Sequence, residues 1–238
     1  MKLNVVGSGS KGNCYILEAE HSALIIECGM PLFEMKKMID FNVEKIVGAL
    51  ITHEHNDHAK YHNDYSGSAI NIYASSGTCS FLKCIFPVRY KRIENKKTFM
   101  VGEFKVLPFD VAHDAKEPFG FMIHHPECGS VLFVTDTYYL PYKFPGLNHI
   151  IIEANYSDEI IEKKSIGNKF VRDRVLESHM SLENCCGVLL ANDLTAVNNI
   201  VLIHLSDSNS DEKKFKSEVE RVTGKITHIA KNKMTINL

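Results

Sequence analysis

A chain of 238 residues with 45% hydrophobic content can bury a substantial core, in one domain or in two small halves sharing it. Its 27 Lys and Arg against 29 Asp and Glu leave a formal charge of −2, which excludes a whole-chain positive field of the kind that gathers long nucleic acid. The seven cysteines are scattered with no CxxC pair, which argues against a thiolate zinc knuckle and for reduced, packed thiols.

The opening "MKLNVVGSGSKGN" lacks an extended apolar segment, and no apolar run is long enough to span a bilayer. The expectation is a soluble, cytoplasmic protein with no membrane contact. In chain order, strands are predicted at "KLNVV" (2–6), "CYILEA" (14–19), "ALIIE" (23–27) and "VGALIT" (47–52), with a short helix over 32–41. A second strand set follows at "INIYA" (70–74), "FKVLPF" (104–109), "FGFMIHH" (119–125), "SVLFVTD" (130–136) and "HIIIEA" (149–154), with another short helix near 76–86. Leu182, Cys185, Cys186, Leu189 and Leu190 repeat at helical spacing behind Ser181 as N-cap. "NIVLIHLS" (199–206) is a strand, and Phe215, Val219 and Val222 mark a helix over 211–222 that Gly224 stops. A terminal strand pair lies near 225–229 and 233–237. Several strands are continuous apolar runs, the mark of strands covered on both faces, so two packed sheets with helices outside are expected.

Against this background "ALITHEHNDHAKYH" (49–62) stands out: His53, His55, Asp57 and His58 crowd onto the loop leaving a strand's carboxyl end. His53 and His55 are placed to converge on one ion; Asp57 and His58 then face a second, because one first-row metal rarely takes all four from so short a loop. Further donors end later strands. His113 follows 104–109, Asp136 closes "SVLFVTD", and His204 closes "NIVLIH". A carboxylate there is costly to bury unless it holds a cation or hydrogen bonds.

In this order His53, His55, Asp57, His58, His113, Asp136 and His204 resemble the dinuclear metal site of the metallo-β-lactamase superfamily. The resemblance spans essentially the whole chain and implies an α/β fold, an αββα sandwich, as a single domain over residues 1–238. It implies that His53, His55 and His113 hold one divalent ion, that Asp57, His58 and His204 hold the other, and that Asp136 bridges them. All-nitrogen-and-oxygen ligation suits zinc, with manganese or iron as alternatives. In one departure, "LIIECG" puts Glu27 where the family commonly has Asp, which bears on hydrogen bonding around the ligands.

"ESHMSLENCC" followed by "LIHLSDSN" resembles the ribonuclease Z-like phosphodiesterases, where a histidine in the place of His179 reaches the active site without being a core ligand. "GSGSKGNCYILE", "VAHDAKEPFGF", "LFVTDT" and "HLS" are similar to the bacterial WalJ (YycJ)-type proteins and to phage anti-Pycsar phosphodiesterases. The implied reaction is phosphodiester hydrolysis, with Asp57 and Asp136 fixing the attacking water through the metals and His179 serving the leaving oxygen. The alternative for His179 is a helix-start histidine bonded to backbone.

The substrate reading leans to cyclic mononucleotides, and the resemblance then implies dismantling of a nucleotide immune signal. The short spacing between motifs leaves no inserted arm to grip a polymer. A WalJ-like exonuclease acting on DNA or RNA ends is the alternative, with a basic stretch at 83–97 in its favour. A lactonase or thioesterase, and a catalytically silent scaffold, are further alternatives. Arg172 and Arg174 are candidate phosphate binders because guanidinium forks match phosphate oxygens. Ser10 and Asn13, in the glycine-rich loop over 7–13, are candidate substrate contacts. His62 is a candidate for the mouth of the site; His21, His124, His125, His149 and His228 are taken as structural or surface residues. Relatives commonly pair, so a homodimer is a possible assembly.

Overall fold

The computed structural model describes residues 1–164 and 169–238, with residues 164, 169–172 and 174 by backbone alone. In chain order, β1 (Lys2–Gly7), β2 (Cys14–Glu18) and β3 (Ala23–Ile26) lead into α1 (Leu32–Met38) and β4 (Ile46–Leu50). Next come α2 (Asn56–Ala59), α3 (His62–Gly67), β5 (Ile72–Ser75), α4 (Ser76–Phe81), β6 (Tyr90–Ile93) and β7 (Phe99–Val101). β8 (Phe104–Asp110), β9 (Phe119–His125), β10 (Gly129–Val134) and β11 (His149–Glu153) precede three helices, α5 (Asp158–Lys164), α6 (Lys169–Ser178) and α7 (Leu182–Ala191). β12 (Asn199–Ile203), α8 (Glu212–Thr223), β13 (Ile226–Ile229) and β14 (Met234–Asn237) complete the chain.

The chain divides into two compact units: one of Met1–Asp110, Ala115–Cys128 and Lys231–Leu238, the other of Val111–Asp114 and Gly129–Ala230. The first holds a sheet in the order β14-β1-β2-β3-β4-β5-β6. Its β14-to-β3 part is antiparallel and its β3-to-β6 part parallel. An antiparallel run of three strands, β7-β8-β9, belongs to the same unit. Val6, Ile16, Ile25, Met35, Ile51 and Tyr65 form a buried cluster that seats α1 and the segment around α3. The second unit is built on a parallel sheet in the order β13-β12-β11-β10. Its strands carry unbroken buried runs, such as His149–Glu153, as parallel strands covered on both faces do.

Capping explains where the helices of this unit begin and end. Ser181 Oγ accepts from the Asn184 amide (3.1 Å) at the start of α7. Asp211 does the same for Lys214 (3.0 Å) at α8, and Gly224 closes α8 with φ 66°. Phe215 and Val219 bury one face of α8, worth about 1.5–3 kcal/mol for each side chain. The stripe on α7 is narrower than its spacing suggests: Leu182, Cys185 and Leu189 are buried, but Leu190 is 59% exposed. The first helix stops at Met38, short of the expected 41, because Asp40 and Phe41 turn left-handed at φ 49° and 59°. The two terminal strands do not pair with each other: β13 adds to β12 in parallel and β14 to β1 in antiparallel.

All seven cysteines are free. Burial pushes the Cys14 thiol up to about 12 and the Cys185 thiol well above its ordinary range, so neither is a ready thiolate. No helix among the described residues is long and apolar enough to cross a membrane.

Candidate metal centre

In the first unit the chain leaves β4 at Leu50 and reaches His53 three residues on. Backbone bonds continue the pairing beyond the strand: the Ile51 amide donates to the Tyr73 carbonyl (3.0 Å) and the Phe119 amide to the Thr52 carbonyl (3.0 Å). The segment that follows is clasped by two neighbouring loops. The Asn13 amide donates to the Asp57 carbonyl (2.7 Å), the Cys28 amide to the His58 carbonyl (2.7 Å) and the Gly29 amide to the Asn13 carbonyl (2.9 Å). These approaches require glycine. A Cβ on Gly29 would stand 1.8 Å from the Asp57 carbonyl oxygen, and Gly12 adopts φ 148° with the Gly29 carbonyl close by.

The imidazoles gather on this frame. The His53 ring centroid lies 4.7 Å from that of His55 and 4.2 Å from that of His58. His53 and His58 are buried, His55 and Asp57 partly so. Thr52 Oγ1 donates to Glu27 Oε1 (2.5 Å), so the same oxygen accepts from His53 Nδ1 (2.9 Å). Glu27 Oε1 also lies 3.3 Å from His58 Nδ1. The Glu27 side chain therefore reaches His58 directly and His53 through the Thr52 hydroxyl. It does so from a left-handed backbone, φ 71°. Burial raises the Glu27 carboxyl above its ordinary range, and His58 and Thr52 pull against that rise.

In the second unit three parallel strands end in polar residues. Asp136 lies just beyond β10, Glu153 is the last residue of β11, and His204 follows β12. Asp136 and His204 both take positive φ, 50° and 55°, an uncommon backbone that turns each strand end abruptly. Glu153 is fully buried and accepts from His179 Nδ1 (2.8 Å), His204 Nδ1 (3.0 Å), the Met180 amide (3.2 Å) and the Thr137 amide (3.3 Å). Asp136 Oδ1 is 3.1 Å from His179 Nδ1, and its other oxygen accepts from the Thr135 hydroxyl (2.8 Å). Ligand atoms of Asp136, Glu153, His179 and His204 lie within 4.8 Å of one another, close enough to meet at a metal ion. His113 joins this unit through Nδ1, which donates to the Ser178 carbonyl (2.9 Å).

Burial alone would raise the Glu153 carboxyl, but Asp136 is outweighed by His179 and His204, and the group sits below its ordinary range. His179 is the counterpart. Burial would lower it, yet Glu153 and Asp136 push it up to about 11. His179 follows the end of α6 rather than opening a helix, and its ring is held by side chains. An open cavity of about 1120 Å³ adjoins His113.

The other singled-out residues fall into place by burial. Ser10 is exposed in the glycine-rich loop. Asn13 is buried: its carbonyl accepts from the Gly9 amide (2.9 Å) and the Tyr15 hydroxyl (3.1 Å), and its amide lies 3.2 Å from His58 Nε2 and 3.4 Å from Asp57 Oδ2. That amide is engaged with the ligand loop. His62 is buried and hydrogen-bonded to the Tyr90 hydroxyl, which removes it from any mouth. His21 and His124 are exposed, while His125 and His149 are buried. Arg172 and Arg174 belong to α6, and their side chains lie outside the described residues. Glu153 is the residue the sequence reading passed over, although a carboxylate closing the apolar run "HIIIE" carries the same signal as Asp136. Glu54 is a second: buried inside the motif, it accepts from the Lys116 amide (2.8 Å) and anchors that loop.

A family model described as the beta-lactamase superfamily domain matches residues 26–205. An exodeoxyribonuclease, YycJ of Bacillus anthracis, is 25% identical and aligns over 93% of this chain and 89% of its own. Exodeoxyribonuclease WalJ of Streptococcus pneumoniae is 26% identical over 88% and 83%. Among solved structures, the metallo-beta-lactamase fold protein YhfI from Bacillus subtilis superposes with a TM-score of 0.76 at 16% identity, covering 99% of both chains. That likeness shows the fold to be the metallo-β-lactamase sandwich.

Proposed function

The chain belongs to the metallo-β-lactamase superfamily, and on that footing we propose that this metal-dependent hydrolase is a phosphodiesterase acting at nucleic-acid strand ends. One observation carries the reading. Four of the five ligand-type histidines turn Nδ1 towards an oxygen: His53 to Thr52, His113 to the Ser178 carbonyl and His204 to Glu153 by hydrogen bonds, and His58 to Glu27 at 3.3 Å. With Nδ1 carrying the proton, Nε2 is the nitrogen that ligates, and outer oxygens of this kind are what fix metal-binding imidazoles. The donor set thus fits divalent cations. On the family resemblance, His53, His55, Asp57 and His58 would serve as ligands, as would His113, Asp136 and His204.

When bound, such ions supply Lewis acidity that activates water at neutral pH and neutralises phosphoryl charge. The chain's own residues do the rest. Glu153 and Asp136 hold His179 by Nδ1 and keep it protonated, so that its Nε2–H can serve the departing oxygen. The Asn13 amide and the backbone bond beneath it fix Asp57. Glu27 orients His53 and His58 together.

The strand-end reading draws on the likeness to two exodeoxyribonucleases over most of both chains. It also draws on Lys83, Arg89 and Arg92, which make no ion pair among the described residues. Cyclic mononucleotides are the second reading, favoured by the cavity beside His113, whose Asp114, Asp173 and Glu177 disfavour a polyanion. The test is manganese- or zinc-loaded protein, beside His53→Ala, given cyclic CMP, UMP, AMP and GMP and a 5′-phosphorylated single-stranded oligonucleotide. Mononucleotides released from the oligonucleotide support the first reading, and ring opening with an intact oligonucleotide supports the second. Loss of neither product in His53→Ala would overturn the metal assignment.

A further inference from the structure

Two residues past Asp136 the second unit holds an aromatic side chain in the open. Tyr138 is 44% exposed, yet its loop is tied down on both sides. The Thr137 hydroxyl donates to the Tyr139 carbonyl (2.7 Å) and accepts from the Ala112 amide (3.0 Å), and the Asn184 side chain donates to the Tyr138 carbonyl (3.1 Å). The Tyr138 ring has no aromatic partner and its hydroxyl no hydrogen bond among the described residues. A half-exposed ring on a tethered loop is an amphipathic contact surface whose apolar face is partly uncovered.

What lies in front of it narrows the ligand. Tyr138 lines the cavity of about 1120 Å³ together with His113, Asp114, Asp173, Leu176 and Glu177. Carboxylates only accept hydrogen bonds, and three of them repel phosphate. The matching group is flat, uncharged and rich in N–H donors. The phosphate of the same molecule would lie towards His113.

We propose that this cavity is a nucleobase subsite, in which Tyr138 stacks on the base and Asp114, Asp173 and Glu177 receive its N–H groups. The proposal rests on the phosphodiesterase reading for the substrate's phosphate, and serves a terminal nucleotide and a cyclic one alike. It also sets a base preference. Guanine presents two adjacent N–H donors that one carboxylate accepts together, whereas thymine presents one. Asp173, carried on α6 and outside the histidine motifs, is the carboxylate to probe.

Two measurements test this. In the first, manganese-loaded protein hydrolyses the p-nitrophenyl ester of thymidine 5′-phosphate and, separately, methyl p-nitrophenyl phosphate, which has no base. The ratio of the two kcat/KM values is expected to fall about tenfold in Tyr138→Ala and to be restored in Tyr138→Phe, in keeping with base–aromatic stacking. An unchanged ratio in Tyr138→Ala overturns the proposal. In the second, guanosine and thymidine 5′-monophosphates are titrated calorimetrically into the same loaded proteins. Tighter binding of the guanosine nucleotide, lost in Asp173→Asn, supports the carboxylate role, and equal binding of both overturns it. Should the wild type hydrolyse neither ester, the phosphodiesterase reading fails by itself. Calorimetry then decides the subsite alone: weaker nucleotide binding by Tyr138→Ala upholds it, and undiminished binding rejects it.

Discussion

Gly29→Ala adds one methyl group at the tightest point of the ligand loop, and its cost follows from three distances. The new Cβ would lie 1.8 Å from the Asp57 carbonyl oxygen, 2.5 Å from its carbon and 2.7 Å from the Asn13 nitrogen, all backbone atoms with no rotamer to yield. Ordinary contact begins at 3.4 Å, so the two segments must separate by about 1.6 Å. That opening breaks the bond from the Asn13 amide to the Asp57 carbonyl (2.7 Å), leaving buried polar groups unmatched at about 1–3 kcal/mol. Overpacking adds about 1–3 kcal/mol more, for a total near 4 kcal/mol. Gly187→Ala is the control of opposite sign. It lies inside α7 with nothing within 4 Å of a Cβ, and removing a helical glycine gains about 0.5–1 kcal/mol. Urea unfolding should therefore move the two midpoints in opposite directions, and elemental analysis should find metal depleted only in Gly29→Ala. A Gly29→Ala protein with wild-type midpoint and metal content would refute the backbone clasp.

Other expectations follow from the hydrogen bonds at the site. Glu27→Gln keeps the shape but weakens the acceptor shared by Thr52 and His58, so metal affinity should drop about 10–100-fold in a competition titration. His179→Ala should retain metal while turnover falls about 10²–10⁴-fold; wild-type turnover would remove it from the reaction. Chelation should abolish hydrolysis, and added manganese or zinc should restore it. His125 is buried against Phe104 and its pKa is lowered by burial from 6.5. The folded state resists its protonation, so His125 contributes stability above about pH 6.5 that is lost as pH falls below it, towards the folded pKa. Glu103 and Glu127, which favour the charged ring, limit the loss, and His125→Gln should flatten this part of the stability–pH curve.

The strands were legible because their apolar runs are long and bounded by turn residues. Those that escaped are short and charged on the outside: β6 reads "YKRI", and Lys91 and Arg92 disguise a strand that buries only Ile93. α6 lies in a basic run whose Arg172 and Arg174 stand out as candidate phosphate binders, and no apolar periodicity there announces a helix. At the site, "HEHNDH" was conspicuous because imidazoles are rare and here adjacent. Glu153 was not, because a single carboxylate after "HIII" acquires meaning only when His179 and His204 arrive from distant positions. Asn13 was visible as a loop residue, but its engagement with Asp57 and His58 is a contact across more than forty positions, which no local pattern encodes.

The clasp around residues 53–58 also bears on how this protein could be re-engineered. The amides of Asn13 and Cys28 grip the loop, and the Gly29 amide braces Asn13, so the loop's side chains hang from a fixed rail. Exchanging a side chain, such as that of Asp57, the proposed ligand, for another oxygen donor leaves the rail in place and is expected to offer a route to altered metal choice. Adding or deleting one residue between His53 and His58 moves the rail itself, misaligning the Asp57 and His58 carbonyls together. Directed evolution of this centre should therefore travel through substitutions and stall at changes of length.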